Sequence, residues 1–151
     1  MKRNTLTSLF LAVIVIMMGA CNNSVWDELP SPIVSFVCEY FPFGEVNSYT
    51  VSKSGSTVNI KNGATLKFDN DYEWTDVNGN GEVLPQNFLY DKLPPVVYEY
   101  IEAIEHVNEV YRVSRDGKVM KVDFHDSLIE YDESTATITY PAATSTGELL
   151  F

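Results

Sequence analysis

The stretch "DVNGNGE", Asp76 to Glu82, holds oxygen donors at a spacing that a hard cation can use. Asp76, Asn78 and Asn80 occupy positions 1, 3 and 5 of a calcium-loop pattern, with Gly81 at position 6. Position 12 is Asn87 rather than a bidentate Glu, and Asp76 is the only carboxylate at those positions. A Gly/Asn-rich turn explains the same residues at less chemical cost. The turn is the preferred reading, and neither a metal nor a cofactor is assigned.

Other reactive types are sparse. His106 closes a helical stretch and His125 sits in a turn, neither beside a Ser or Cys nucleophile in sequence. Carboxylate pairs such as Glu102/Glu105 and Asp132/Glu133 reflect an acidic composition rather than acid–base chemistry. No glycine loop that could cradle a phosphate follows a strand. An enzyme is therefore the reading with least support. Cys38 falls in an apolar helical stripe and reads as a small buried hydrophobe.

The remaining cysteine, Cys21, has a clearer assignment. Lys2 and Arg3 open the chain, an apolar run follows from Leu9 to Met18, and then comes "MGAC". A charged head, an apolar middle and small residues before a cut make a secretion signal. The apolar run is well short of the ~20 residues that a membrane-spanning helix needs. "MGAC" resembles the lipobox of bacterial lipoproteins, with Met18 in place of the commoner Leu. The resemblance makes Cys21 the first mature residue and the site of lipidation. Residues 1–20 are then the signal peptide and 21–28 a tether. The protein is expected in the cell envelope, lipid-anchored to the outer membrane and facing the periplasm.

Charge narrows the partners. Without Lys2 and Arg3, eight basic residues stand against 21 acidic ones, a net charge of −13. Phosphate backbones are repelled by such a surface, so nucleic acid is excluded as a partner. The expected membrane contact is the lipid on Cys21 alone.

The elements that would position any site come in two matching sets. "LPSPIVSFVCEY", Leu29 to Tyr40, is echoed by "LPPVVYEYIEAI", Leu93 to Ile104. Ile33, Phe36, Val37, Tyr40 and Phe41 recur at helical spacing, as do Val97, Tyr100, Ile101 and Ile104. Ser31 reads as a cap before Pro32, and Pro94 and Pro95 open the second helix. Behind each helix run alternating segments. Tyr49 and Val51 match Tyr111 and Val113; Val58 and Ile60 match Met120 and Val122; Leu66 and Phe68 match Ile129 and Tyr131. Period-2 alternation marks strands with one buried face. Ser54-Gly55, Asn62-Gly63 and Asp116-Gly117 supply hairpin turns.

These patterns predict an α+β fold made of two tandem repeats over 29–80 and 81–140. Each repeat is an amphipathic helix packed on three short antiparallel strands, and the two share a core. "TATITY", Thr135 to Tyr140, adds an edge strand. Thr75 to Lys92 reads as a polar, turn-rich connector, and 141–151 as a C-terminal tail.

The phrase order resembles the tandem PepSY-like, β-lactamase-inhibitor-like periplasmic proteins and lipoproteins of Bacteroides-type bacteria. The matching residues begin with Leu29, Pro30, Phe36, Phe41 and Pro42, continue through Asn62, Gly63, Phe68, Asp69 and Trp74, and return with Leu93, Pro94, Tyr100, Ile101, Tyr131 and Asp132. In the second copy His125-Asp126-Ser127 replaces Asn62-Gly63, and no second Trp follows Asp132. The resemblance implies export and a helix-on-sheet unit used twice. By analogy of fold it implies an inhibitory or protein-binding role.

Alternation also picks out a candidate surface. If Tyr49, Val51, Val58, Ile60 and Phe68 face the helices, then Thr50, Asn59 and Lys67 face outward, with Arg112, Lys121 and Glu130 as counterparts. Arg112, Lys121 and Glu130, with Trp74 near the edge as an aromatic anchor, are the candidate partner-binding residues. A solvated face with Trp74 closing the core is the competing reading. The expected function is an exported, lipid-anchored, non-catalytic protein-binding module, inhibiting a peptidase or another envelope enzyme. A periplasmic module sensing calcium or a small ligand is the alternative.

Overall fold

A computed structural model of the chain describes residues 25–140. The segment read as a signal peptide, the expected lipidation site Cys21, residues 22–24 of the expected tether and the expected tail at 141–151 lie outside the described residues. Helix α1 spans Ser31–Tyr40, α2 Gln86–Lys92 and α3 Pro95–Ala103. The strands are β1 (Val46–Ser52), β2 (Gly55–Ile60), β3 (Thr65–Phe68) and β4 (Trp74–Asn78), then β5 (Arg112–Asp116), β6 (Val119–Asp123), β7 (Leu128–Asp132) and β8 (Thr137–Thr139). All eight pair antiparallel in chain order within one sheet. Among the described residues no helix is long and apolar enough to cross a membrane.

Proline sets where the helices begin. Pro30 and Pro94 hold extended backbone just before α1 and α3, and neither start carries a side-chain cap hydrogen bond. Ser31 is thus the first helical residue of α1 and not its cap. Helix α1 ends at Tyr40, before Pro42, and buries Ile33, Phe36, Val37 and Tyr40. Cys38 is exposed, which corrects the buried reading. It follows Val37 by about 100° of helical rotation and so leaves the inward stripe.

The sheet gives the helices a single apolar face. Val58, Ile60, Leu66, Phe68, Val113, Met120, Val122, Ile129 and Tyr131 are buried there with the inward residues of all three helices. Both halves contribute to this one core, and the pairing of Asp76 with Ser114 and of Val77 with Val113 joins β4 to β5. Val51 departs from the expected pattern: it is 67% exposed. Register puts it on Tyr49's side, but at the far end of an edge strand, opposite Ser56.

The first half has four strands rather than three, while the second has its three and the expected edge strand, β8. Thr75–Lys92 is not a simple connector, since it contributes most of β4 and all of α2. Helix α2 buries Phe88 and Leu89, and the Phe88 ring meets Phe36, Tyr40 and Trp74 edge-on. Such edge-to-face pairs add modestly to the area that aromatic rings bury.

Candidate protein-binding face

A bulge decides what the outward face of the sheet displays. On β3, Lys67 pairs with Asp76 and Phe68 with Trp74, so Thr75 is an extra residue on β4. Simple alternation would put Trp74 and Asp76 on one side. The extra residue turns Trp74 into the core with Phe68 and leaves Asp76 outward. Trp74 is only 4% exposed and packs on Phe88. Arg115 lies 4.2 Å over its ring and donates a hydrogen bond from Nε to the Trp74 carbonyl at 3.0 Å. In this arrangement Trp74 closes the core and offers no anchor to a partner.

The polar residues of the outer face do come together. Asp76 receives a two-pronged bond from Arg112: Nε to Oδ1 and a terminal nitrogen to Oδ2, both at 2.8 Å. Lys67 reaches the same carboxylate at 3.2 Å. Two strands along, Lys121 bonds Glu130 at 2.8 Å, directly across the β6–β7 ladder. Asp123 pairs with Arg112 in register. The row runs Lys67, Asp76, Ser114, Lys121, Glu130 from β3 to β7. Opposite charges stand side by side, the arrangement that stabilises cross-strand pairs. Arg112, Lys121 and Glu130 thus share the predicted face. Their partners lie within it, and sequence reading missed Asp76 and Asp123 as members. The bulge hid Asp76, because the turn-like string around it contains no sign of a strand.

The two acids titrate in opposite directions. Burial pushes the Asp76 carboxyl up, but hydrogen bonds from Arg112 and Lys67 outweigh it and hold the group below its usual range. Asp123 has no such bond. Burial raises it, and the attraction of Arg112 offsets this only in part. The Arg112 guanidinium is pushed further up by its bond to Asp76.

The calcium-like stretch has turn geometry. Asp76 is committed to Arg112 and Lys67 on the sheet. Asn78 Oδ1 accepts from the Asn80 amide at 2.8 Å, and Asn80 Nδ2 donates to the Gly63 carbonyl at 2.8 Å. Asn80 and Gly81 both have positive φ, 55° and 97° respectively, which suits a tight reversal. Gly79 cannot be anything larger, because a Cβ there would lie 1.9 Å from the Glu82 carbonyl oxygen. Among the described residues no three His, Cys, Asp or Glu side chains are placed to hold a metal. His106 pairs with Glu109 and tilts against Phe124, while His125 is exposed beside Asp126.

Beyond this face, an apolar cleft of about 250 Å³ opens at the end of α1, between Phe41, Ile60, Ala64 and Leu84. Phe43 stands fully exposed at its rim.

Comparison with solved structures finds the same architecture. A Bacteroides vulgatus protein described as periplasmic and of the DUF2874 family is 21% identical, with a TM-score of 0.60 over 75% of this chain and 89% of that one. A second B. vulgatus protein, described as periplasmic and of unknown function, is 14% identical, with a TM-score of 0.64 over 79% and 96%. A Bacteroides thetaiotaomicron protein described as calcium-regulated and periplasmic is 18% identical, with a TM-score of 0.63 over 76% and 91%. No family model matches the chain, and no curated protein does. What the chain shares with these Bacteroides proteins is the fold, an antiparallel sheet roofed on one side by helices.

Proposed function

We propose that this chain is a non-catalytic protein-binding module of the bacterial cell envelope, exported, tethered by a lipid on Cys21 and facing the periplasm. Its docking surface is the open face of the sheet. One observation carries the reading: the helices bury one face of an eight-stranded sheet, and the other is left as a broad polar platform. On it Lys67, Asp76, Arg112, Lys121, Asp123 and Glu130 alternate in sign across five strands. Patterned charge of this kind selects partners by matching signs and penalises mismatched ones. The periplasmic descriptions of the structural neighbours support the location. The leader and "MGAC" support the anchor.

The order helix then four strands occurs twice, with inward residues at matching places. This supports a duplicated PepSY-like unit, with repeats near 29–80 and 81–140. Inhibition of a peptidase or another envelope enzyme is the activity this reading favours, on analogy of fold.

The test exchanges one ion pair. A K121E/E130K double variant keeps the Lys–Glu attraction and reverses the pattern that a partner meets. Proteins crosslinked to the native chain in envelope extracts should be lost from the double variant, while its thermal melt stays unchanged. An identical set of crosslinked proteins from both chains would remove the sheet face as the docking surface.

A further inference from the structure

The helix side of the molecule carries a charge pattern that the sheet side does not. Segments 25–41 and 86–109 hold eight acidic residues, one lysine and one histidine. The lysine, Lys92, lies over the Tyr40 ring, 5.4 Å from its centroid. His106 is taken by Glu109. Seven of the other basic side chains of the described residues belong to the strands and their turns, and five of them pair with carboxylates there.

A cleft of about 470 Å³ opens in this acidic layer, between α2 and α3. Tyr90, Pro95, Tyr98, Glu99 and Glu102 line it. The two tyrosine rings meet at 89°, with centroids 5.3 Å apart. Tyr90 is 69% exposed, high for an aromatic side chain on a folded surface. Glu99 and Glu102 are three apart on α3 and so share a face. Neither has an ion-pair partner among the described residues, whereas on the sheet face Asp76 has two and Glu130 has one.

We propose that this cleft binds an arginine side chain from a basic segment of a partner protein. The surface combines two recognition elements. Tyrosine faces attract a guanidinium through the ring quadrupole, and its flat, weakly hydrated surface stacks on them. Carboxylates at the rim take its N–H donors in charge-assisted bonds. A lysine satisfies the charge but not the stacking. The surrounding acidic layer would steer a basic segment towards the cleft. This surface lies on the helix layer, so it is separate from the proposed sheet platform, and either can fail without the other.

The probe is a fluorescent hexa-arginine peptide, followed by anisotropy at about 150 mM salt, where loose charge attraction is screened beyond roughly 8 Å. The protein is expressed from the full chain and purified in mild detergent. E99Q/E102Q should weaken binding about tenfold, and Y90A about fivefold. A control, D126N/E133Q, removes the same charge from exposed strand turns and should change binding less than twofold. Hexalysine should bind at least fivefold more weakly than hexa-arginine. Thermal melts confirm folding, and all these substitutions lie on exposed side chains. An equal loss in the control, equal binding of hexalysine, or no response to Y90A would each reduce the interaction to general charge and overturn the proposal. So would undetectable binding to the native protein.

Discussion

Helices α1 and α3 share one apolar spacing and sit at different depths. Helix α1 buries Ile33, Phe36, Val37 and Tyr40. Helix α3 buries Val97 and Ile101, while Tyr100 and Ile104 are only half covered. The difference comes from α2. Its Phe88 ring fills the space between Phe36, Tyr40 and Trp74, and the Tyr40 hydroxyl donates to Asp91 at 3.3 Å. Burial and the nearby Glu39 and Asp91 push the Tyr40 hydroxyl pKa up to about 12. Tyr100 instead shares a hydroxyl contact with Tyr140, which is itself exposed. Spacing sets which side of a helix turns inward, and a third element decides how far in it goes.

The most direct way to break this comparison is to remove the ring that creates it. Phe88→Ala should cost about 3–5 kcal/mol, since a fully buried aromatic leaves a cavity that its neighbours cannot fill. Urea unfolding checks the value, and near-ultraviolet circular dichroism should show Trp74 losing its fixed environment. A loss below about 1 kcal/mol would mean that α2 does not support α1.

Paired substitutions sharpen the same point. Phe36→Ala should cost about 3 kcal/mol and Tyr100→Ala about 1 kcal/mol, although the two residues are equivalent in the repeated phrase. Equal losses would put the two helices at one depth. Val113 and Val51 extend the test to the strands. Val113 is fully buried on β5, which has neighbours on both sides, while Val51 lies on the edge strand β1. Val113→Ala should cost about 2 kcal/mol, and Val51→Ala less than about 0.5 kcal/mol. Chemical denaturation of the two variants side by side decides it.

These contrasts also show what the amino-acid pattern could and could not reveal. Both long helices, six of the eight strands and the edge strand near Thr137 are visible as 3.6- or 2-residue periods, because each of those elements has one dry side. Helix α2 is seven residues long, too short for a period to emerge, and its two buried residues are adjacent. Strand β4 is hidden by the bulge at Thr75, which breaks its alternation and reverses Trp74. Val51 is exposed although its parity points inward, because alternation reports a side of the sheet but not the edge of its cover. On the candidate face, Arg112, Lys121 and Glu130 follow from strand parity. Their partner Asp76 does not, because the Asn- and Gly-rich residues after it imitate a cation loop.

The outer face offers a finer contrast between two carboxylates on neighbouring rows. Asp76 has its carboxyl lowered by Arg112 and Lys67 against the pull of burial. Its contribution to stability is therefore present above the ordinary carboxylate pKa of 3.8 and lost as pH falls through the lower folded value. Asp76→Asn should cost about 1–2 kcal/mol near pH 7. That figure is reduced from the value for a fully buried pair because Arg112 and Lys67 are 41% and 51% exposed. The gap between native and variant melting temperatures should narrow below about pH 4.

Asp123 runs the other way. Its folded carboxyl is raised, so the folded chain holds that proton more tightly than the unfolded chain. The favourable contribution is present below 3.8 and is lost as pH rises from there through the raised folded value. Near neutral pH the ionised, half-buried Asp123 is thus a small burden. Asp123→Asn keeps the shape and removes the charge. It should stabilise by less than about 1 kcal/mol at pH 7, with the gain fading towards pH 3. Thermal melts of native and variant across pH 3–7 read out the sign. A variant that is less stable at pH 7 than at pH 3, relative to the native chain, would mean that Arg112 serves Asp123 as fully as it serves Asp76. The outer face would then be one evenly balanced network, not a strong Arg112–Asp76 clamp beside a poorly compensated acid.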